Sequence, residues 1–271
     1  MIPLPEMSVN EIEVFFVEQK ISEQHFLIIF MAFYQRVDGQ LSAYAVWALI
    51  TFIRNFGAES TSLPLAQLTK ATGIQTKKLR VVLNELEQHG ILKIDFPETG
   101  KRARVRHLQL NLAYISDDLI MSVYSLDNII KRMSRKFPLL KFIELLFMKS
   151  AEIKISNLPK KTETDCNLDY RSYLVLLRLI YGADSFGIVV GCGIGEIERA
   201  TGLNKQSIYR AIQQLKQFGF IRCQANGAIR NSFIQTESPI YALNLSHKFW
   251  GDAAIYGKFY ILKYPQPHVL E

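Results

Sequence analysis

Apolar side chains recur at intervals of three and four residues in two separate stretches of the chain. In residues 71–93 the apolar positions are Leu79, Val82, Leu83 and Leu86. In residues 200–222 they are Ile208, Ala211, Ile212 and Leu215. This spacing predicts an amphipathic helix in each stretch, with one face buried. Two β-like runs follow each helix and predict a hairpin: ILKIDF and RVRHLQL, then FIRC and PIYALNL.

The two stretches are copies of one sequence unit. Residues 65–95 align with residues 194–224 without gaps, and the apolar positions stay in register. The identical pairs are Ala71/Ala200, Thr72/Thr201, Gly73/Gly202, Leu86/Leu215, Gln88/Gln217 and Gly90/Gly219. An upstream apolar helix aligns at the same offset, through Tyr44/Tyr173, Val46/Val175 and Ile50/Leu179. Such self-similarity indicates one structural unit used twice.

Each copy has the same predicted order of elements. An apolar helix is followed by a short helix, a glycine, a longer amphipathic helix and the hairpin. Gly73 and Gly202 stand where a helix ends with positive φ, and Gly90 and Gly219 close the longer helices. The expected N-cap residues of the longer helices are Gln75, Thr76 and Asn204. This order predicts a mainly α fold with small β-hairpin wings (α+β), consisting of two tandem winged helix-turn-helix domains.

The longer helices also carry a family resemblance. The segments GIQTKKLRVVLNELEQHGIL and GLNKQSIYRAIQQLKQFGFI resemble the recognition-helix region of bacterial MarR-like winged-helix DNA-binding domains. They are also similar to the N-terminal winged helix of phage replication proteins. The resemblance implies that the third helix of each copy presents its outer face to the DNA major groove.

The repeat divides the chain into six predicted parts. Residues 1–40 form a helical packing or association segment, and residues 41–111 form the first winged helix domain. Residues 112–155 are expected to be a helical connector, broken at Pro138, and the polar residues 156–169 a linker. Residues 170–247 form the second winged helix domain, and residues 248–271 a C-terminal extension.

Side chains at the start and outer face of each longer helix are the predicted base and phosphate contacts. In the first copy these are Gln75, Thr76, Lys77, Lys78 and Arg80. In the second copy they are Asn204, Lys205, Gln206, Ser207, Tyr209 and Arg210. Such side chains pair with base edges or hold phosphates. The alternative interpretation is a solvated polar face, which any surface helix has.

The first predicted wing is strongly basic. Its cationic residues are Lys101, Arg102, Arg104 and Arg106. Strand alternation places the three arginines on one side, and an arginine at a wing tip suits the negative potential of the minor groove. The second wing has a longer loop and only Arg230. The two copies are therefore not expected to bind DNA equivalently.

The charge distribution agrees with this division. The 271-residue chain has a formal net charge of +7 and a pI near 9.2, which favours an acidic partner such as nucleic acid. Residues 1–53 contain six acidic and two basic side chains, whereas residues 54–107 contain ten basic and five acidic ones. The acidic N-terminal segment is thus a candidate for packing and association rather than for facing DNA. A homodimer, if it forms, is expected to use either this segment or the connector helices.

Other classes of site find little support in the sequence. The three cysteines lack C-x-x-C spacing, which favours reduced thiols in the cytoplasm, and no metal, cofactor or catalytic arrangement is recognisable. The segment VVGCGIGEIE matches G-x-G-x-G but lacks full nucleotide-loop spacing, and the repeat places it before a short helix. The longest apolar run, FLIIFMAFY, is too short to span a membrane.

The favoured function is therefore sequence-specific binding of double-stranded DNA by a non-enzymatic bacterial transcriptional regulator. The expected location is the bacterial cytoplasm. The protein is expected either to be associated with the nucleoid or to be encoded by a plasmid or phage. A plasmid or phage replication initiator that binds origin repeats is the first alternative. A winged-helix module that binds another protein is the second.

Overall fold

The computed structural model describes residue 34 and residues 39–56, 61–95, 105–111, 138–150, 168–225, 229–230, 235–236 and 239–255. These residues form a mainly helical fold with small antiparallel sheets. Most of the predicted N-terminal segment, connector residues 112–137 and linker residues 156–167 lie outside the described part.

The first copy contains three helices and three strands. They are α1 (Ala43–Phe56), β1 (Thr61–Pro64), α2 (Leu65–Thr72), α3 (Thr76–Gln88), β2 (Leu92–Asp95) and β3 (Val105–Leu110). The strands form an antiparallel sheet in the order β1-β3-β2. A further helix, α4 (Leu140–Lys149), follows this copy.

The second copy repeats this arrangement. Its elements are α5 (Tyr170–Tyr181), β4 (Ile188–Val189), α6 (Ile194–Thr201), α7 (Lys205–Gln217), β5 (Ile221–Ala225), β6 (Ile229–Arg230), β7 (Gln235–Thr236) and β8 (Ile240–Leu243). The order β4-β8-β5 corresponds to β1-β3-β2 of the first copy, and β6 pairs with β7 between the last two sheet strands. A 3-10 helix, Lys248–Ala253, follows β8.

Matching threonines end the short helices. Thr72 Oγ1 donates to Leu68 O at 2.8 Å, and Thr201 Oγ1 donates to Ile197 O at 2.6 Å. Each hydroxyl also accepts the backbone N–H two residues later, at 3.2 Å and 3.3 Å. The same hydroxyl therefore fixes the turn between short and longer helix in both copies.

Matching asparagines end the hairpins. The Asn111 side chain donates to Gly90 O at 2.7 Å, and the Asn244 side chain donates to Gly219 O at 2.9 Å. The two partners are 21 residues apart in the first copy and 25 residues apart in the second. The structural repeat thus extends to the end of the third strand, and the longer loop predicted for the second copy is confirmed.

The glycine predictions and the N-cap positions of Asn204 and Gln75 are confirmed, whereas the N-cap prediction for Thr76 is wrong. Gly73, Gly90, Gly202 and Gly219 all have φ between 64° and 80°. Asn204 caps α7 by accepting the Ser207 N–H at 2.9 Å. Gln75 occupies the equivalent position before α3, but its side chain makes no capping bond and Thr76 is the first helical residue. The extra methylene of glutamine carries its carbonyl past the N–H groups that asparagine reaches.

The predicted two-stranded hairpins are parts of three-stranded sheets. Strands β1 and β4 join the hairpins by pairing with β3 and β8. They span four and two residues, which is too short for an alternating pattern to show in the sequence. β4 lies directly before the glycine-containing segment that leads into α6, where the repeat had placed that segment.

Both copies contribute to one hydrophobic core. Helix α1 packs against α5, where the Trp47 ring meets Tyr173 edge-on at 5.4 Å between centroids. Tyr44 of α1 stacks on Tyr170 of α5 at 5.2 Å. Helix α4 packs on both α1 and α5. The shared core fixes the two copies against each other.

The residues before α1 lie against the glycine turn between α6 and α7 of the second copy. The Gly39 N–H donates to Arg199 O at 2.7 Å. A Cβ built on Gly202 would lie 2.2 Å from Leu41 O and 2.6 Å from Ala43 N. Glycine is therefore required at position 202 for two reasons: the backbone there has a positive φ, and residues 41–43 leave no room for a Cβ.

Replacing Gly202 with alanine is expected to cost about 1.5 kcal/mol more than replacing Gly90. Both glycines have positive φ, but a Cβ on Gly90 would meet nothing within 4 Å. Gly90→Ala therefore isolates the backbone strain, which is about 1 kcal/mol. Urea denaturation of the whole chain measures both variants. Equal losses of stability would show that residues 41–43 do not press on this turn.

Burial of the His247 imidazole favours its neutral form, although the Phe218 carbonyl acts in the opposite direction. Its Nε2 lies 2.9 Å from Phe218 O, and its Nδ1 accepts the Phe249 N–H at 3.1 Å. Burial, assisted by the nearby Lys248 charge, lowers the pKa of His247 below its ordinary 6.5. A lowered folded-state pKa gives stability that is complete above the unfolded value and is lost as the pH falls.

Acidification from about pH 7 to pH 5 is therefore expected to lower the free energy of unfolding partly through His247. The His247→Gln variant removes this titration and should show a shallower decline than the wild type. Urea denaturation at both pH values measures the difference. Parallel declines in the two proteins would contradict the assignment.

Candidate nucleic-acid interface

Helices α3 and α7 each follow a tight glycine turn that fixes their direction. Gly73 and Gly202 have φ of 70° and 64°, and each donates its N–H to the last turn of the preceding short helix. The predicted apolar positions of both longer helices are buried. The opposite face of each helix is therefore directed away from the core.

A row of exposed side chains runs along this opposite face. A helix turns by about 100° per residue, which identifies the positions opposite the buried ones. We call these positions the outer stripe. In α3 the outer stripe consists of Lys77, Val81, Asn84 and Gln88. In α7 it consists of Gln206, Arg210, Gln213 and Gln217. All eight side chains are exposed.

Most of the predicted contact residues lie at the surface of the two helices. The exposed ones are Gln75, Thr76, Lys77, Lys78, Arg80, Asn204, Lys205, Gln206, Tyr209 and Arg210. Ser207 is half-buried, and the Asn204 carbonyl is occupied by capping. The structure thus brings cations and amides together on each helix, and it places Ser207 at the edge of this surface.

Lys78 points towards the junction between the copies. Its Nζ lies 3.2 Å from the Tyr44 hydroxyl and 4.7 Å from the centre of that ring. Tyr44 in turn stacks on Tyr170, beside which the Arg171 guanidinium lies 5.4 Å from the ring centre. Lys78 is therefore linked to the second copy and stands apart from the outer stripe.

The two tyrosines of this junction differ in acidity. Burial and the hydrogen bond with Tyr44 raise the pKa of Tyr170 to about 12, so Tyr170 keeps its proton at neutral pH. Burial also acts to raise the pKa of Tyr44, but its hydrogen bonds with Tyr170 and Lys78 outweigh burial and lower it. The hydrogen bond with Tyr170 in turn raises the pKa of Arg171.

Only the bases of the predicted wings lie within the described residues. Lys101, Arg102 and Arg104 lie outside the described residues. Arg106 is in β3 opposite Leu63, and Arg230 is in β6 opposite Gln235, but their side chains are not described. The contribution of the wings to binding therefore stays a prediction from the sequence.

Three outer-stripe residues of α3 and two of α7 were not predicted as contacts. They are Val81, Asn84, Gln88, Gln213 and Gln217. The sequence prediction named as DNA contacts only the positively charged and polar residues in the first turns of each helix. Counting 3.6 residues per turn from the buried positions would have identified them, because the stripe continues along the whole helix.

The described residues contain neither a cluster of metal ligands nor a helix suited to a membrane. No three side chains of His, Cys, Asp or Glu come together there as metal ligands. None of the described helices combines the length and the apolar character that crossing a membrane requires.

Comparison with models of protein families, with curated proteins and with solved structures gave no match for the chain.

Proposed function

We propose that this chain is a sequence-specific double-stranded DNA-binding protein that regulates transcription through two tandem winged helix-turn-helix domains. The observation that carries the proposal is the repeated presentation of one helix. In both copies, the helix after the glycine turn exposes a row of side chains that contains cations and amides and no carboxylate. Such a row suits the phosphates and base edges of the major groove.

The order of the elements supports the winged-helix assignment. Each copy runs helix, strand, helix, helix and then two sheet strands, between which the second copy adds the pair β6 and β7. In each copy the first strand pairs with the last. The last two sheet strands enclose residues 96–104 in the first copy and residues 226–239 in the second. In the proposed assignment these loops are the wings.

The position of Glu85 supports a DNA-facing role for α3. This carboxylate accepts the Ser42 N–H at 2.5 Å and the Ser42 hydroxyl at 2.7 Å, so it is held towards α1. In the second copy the equivalent residue is the neutral Gln214, which accepts the Ser172 hydroxyl at 2.7 Å. The Glu85 carboxylate, one of the two acids of α3, is thus kept away from the outer stripe, and its repulsion of a phosphate there is reduced.

The shared core gives the proposal a geometric consequence. Because α1 and α5 pack together, the two outer stripes are held at a fixed separation. Two recognition helices in one chain behave as a covalent pseudo-dimer, and tethering raises the effective concentration of the second contact. Because the stripes differ in sequence, the bound site is expected to be asymmetric.

Selection from a randomised duplex pool, followed by footprinting, tests this proposal. We expect two different half-sites at a constant spacing of about one helical turn, or a multiple of it. A Tyr44→Ala/Tyr170→Ala variant is a useful companion, because it removes the stacked contact between the copies and should loosen the preferred spacing. Enrichment of no sequence, or of one isolated half-site, would contradict the proposal.

Mapping of bound DNA in the cell separates regulation from replication. Occupancy upstream of promoters is the expected result for a regulator. Occupancy confined to iterated repeats at an origin would assign the same binding activity to a replication initiator instead.

A further inference from the structure

We propose that Val81 recognises the 5-methyl group of a thymine in the half-site bound by the first copy. This inference rests on the proposed DNA-binding function and assigns a base to one position of the outer stripe. It makes Val81 a specificity-determining residue, beside the cations that supply most of the affinity.

The position of Val81 carries the inference. Its side chain is 65% exposed, although valine is apolar. It lies on the outer stripe one turn after Lys77 and one turn before Asn84, with Arg80 directly before it in sequence. Valine is also a weaker helix former than alanine or lysine because its branched side chain loses rotamer freedom. Neither core packing nor helix propensity therefore accounts for valine at this position.

The chemistry of the major groove supplies an apolar partner. Among the groups that the four bases present there, the thymine methyl is the apolar one, and apolar side chains contact it. Lys77 and Arg80 attract the phosphates on either side, so the duplex is drawn against the stripe and Val81 is pressed towards the base edges. Burial of the valine and thymine methyl groups then favours thymine over cytosine, which has no methyl group.

The second copy carries a different group at the same position. Arg210 aligns with Val81 and is also exposed on the outer stripe. Arginine pairs in a bidentate manner with guanine. The two half-sites are thus expected to differ at the corresponding base, with thymine facing α3 and guanine facing α7.

Replacement of thymine by deoxyuridine tests the inference, because it removes only the methyl group and preserves base pairing. Each thymine of the selected duplex is replaced in turn, and dissociation constants are measured for the wild type and for Val81→Ala. At one thymine of the first half-site, uracil should weaken wild-type binding about fourfold, the factor expected for one methyl-sized apolar group. The same replacement should leave binding by Val81→Ala unchanged.

Asn84→Ala is the matched control, since it shortens a neighbouring exposed side chain on the same stripe. It should retain the fourfold response to uracil, and alanine suits a helix in both variants. A wild type that binds the duplex but responds to uracil nowhere, or a Val81→Ala variant that keeps the response, overturns the inference alone. Absence of any duplex binding by the wild type overturns the proposed function together with it.

Discussion

The Trp47→Ala variant is expected to lose about 4 kcal/mol of unfolding free energy, because a large buried aromatic side chain is removed and a cavity remains. Trp47 is 2% exposed and contacts Tyr173 and Tyr170 of the second copy. Its indole N–H also donates to Thr72 O at 2.9 Å, at the end of α2. One residue therefore supports both the interface between the copies and the turn that positions α3.

Trp47→Phe is the control for this prediction. A phenyl ring keeps much of the contact with Tyr173 but loses the hydrogen bond to Thr72, so we expect a loss of about 1.5 kcal/mol. Urea denaturation measures both variants, and the near-ultraviolet circular dichroism should change more in the alanine variant. An alanine variant as stable as the phenylalanine variant would show that Trp47 does not hold the two copies together.

Removal of cations from the two outer surfaces is expected to have the largest effect on binding. Lys77→Gln/Arg80→Gln in α3 should lower the affinity for the selected duplex about 100-fold, and Lys205→Gln/Arg210→Gln in α7 should do the same. All four side chains are exposed, so the fold should be retained. Fluorescence anisotropy with labelled duplex measures each double variant.

Lys141→Gln/Lys248→Gln removes the same number of charges elsewhere. Lys141 is on α4 and Lys248 is at the start of the 3-10 helix, and both are exposed. This control should change the affinity less than twofold. If this control lost as much affinity as the α3 and α7 variants, binding would depend on net charge rather than on the two helices, and the proposed interface would be wrong.

Local features of the fold were predictable because each depends on a few neighbouring residues. The buried positions of α3 and α7 follow from helical periodicity alone. The positive φ of Gly73 and Gly202 follows from the need to end one helix and begin another within three residues. The repetition of both signals at a constant offset predicted that the chain uses one unit twice.

Features that depend on distant residues were not predictable. Strands β1 and β4 form because β3 and β8 offer free edges, and their own short sequences give no pattern. The contact of Lys78 with Tyr44 joins residues 34 positions apart. It turns Lys78 towards the second copy, although the sequence prediction had placed this lysine among the DNA contacts. The close approach of Leu41 to Gly202 likewise arises only when the two copies pack together.

The salt dependence of duplex binding is the most direct test of the central claim that the two helices present their exposed cations to DNA phosphates. The association constant of the full-length chain is measured at several salt concentrations. If four phosphates are neutralised, the logarithm of this constant should fall with the logarithm of salt concentration with a slope of about −4. Lys77→Gln/Arg80→Gln should make the slope shallower by about two. Binding that does not respond to salt, or a slope unchanged in this variant, would contradict the account.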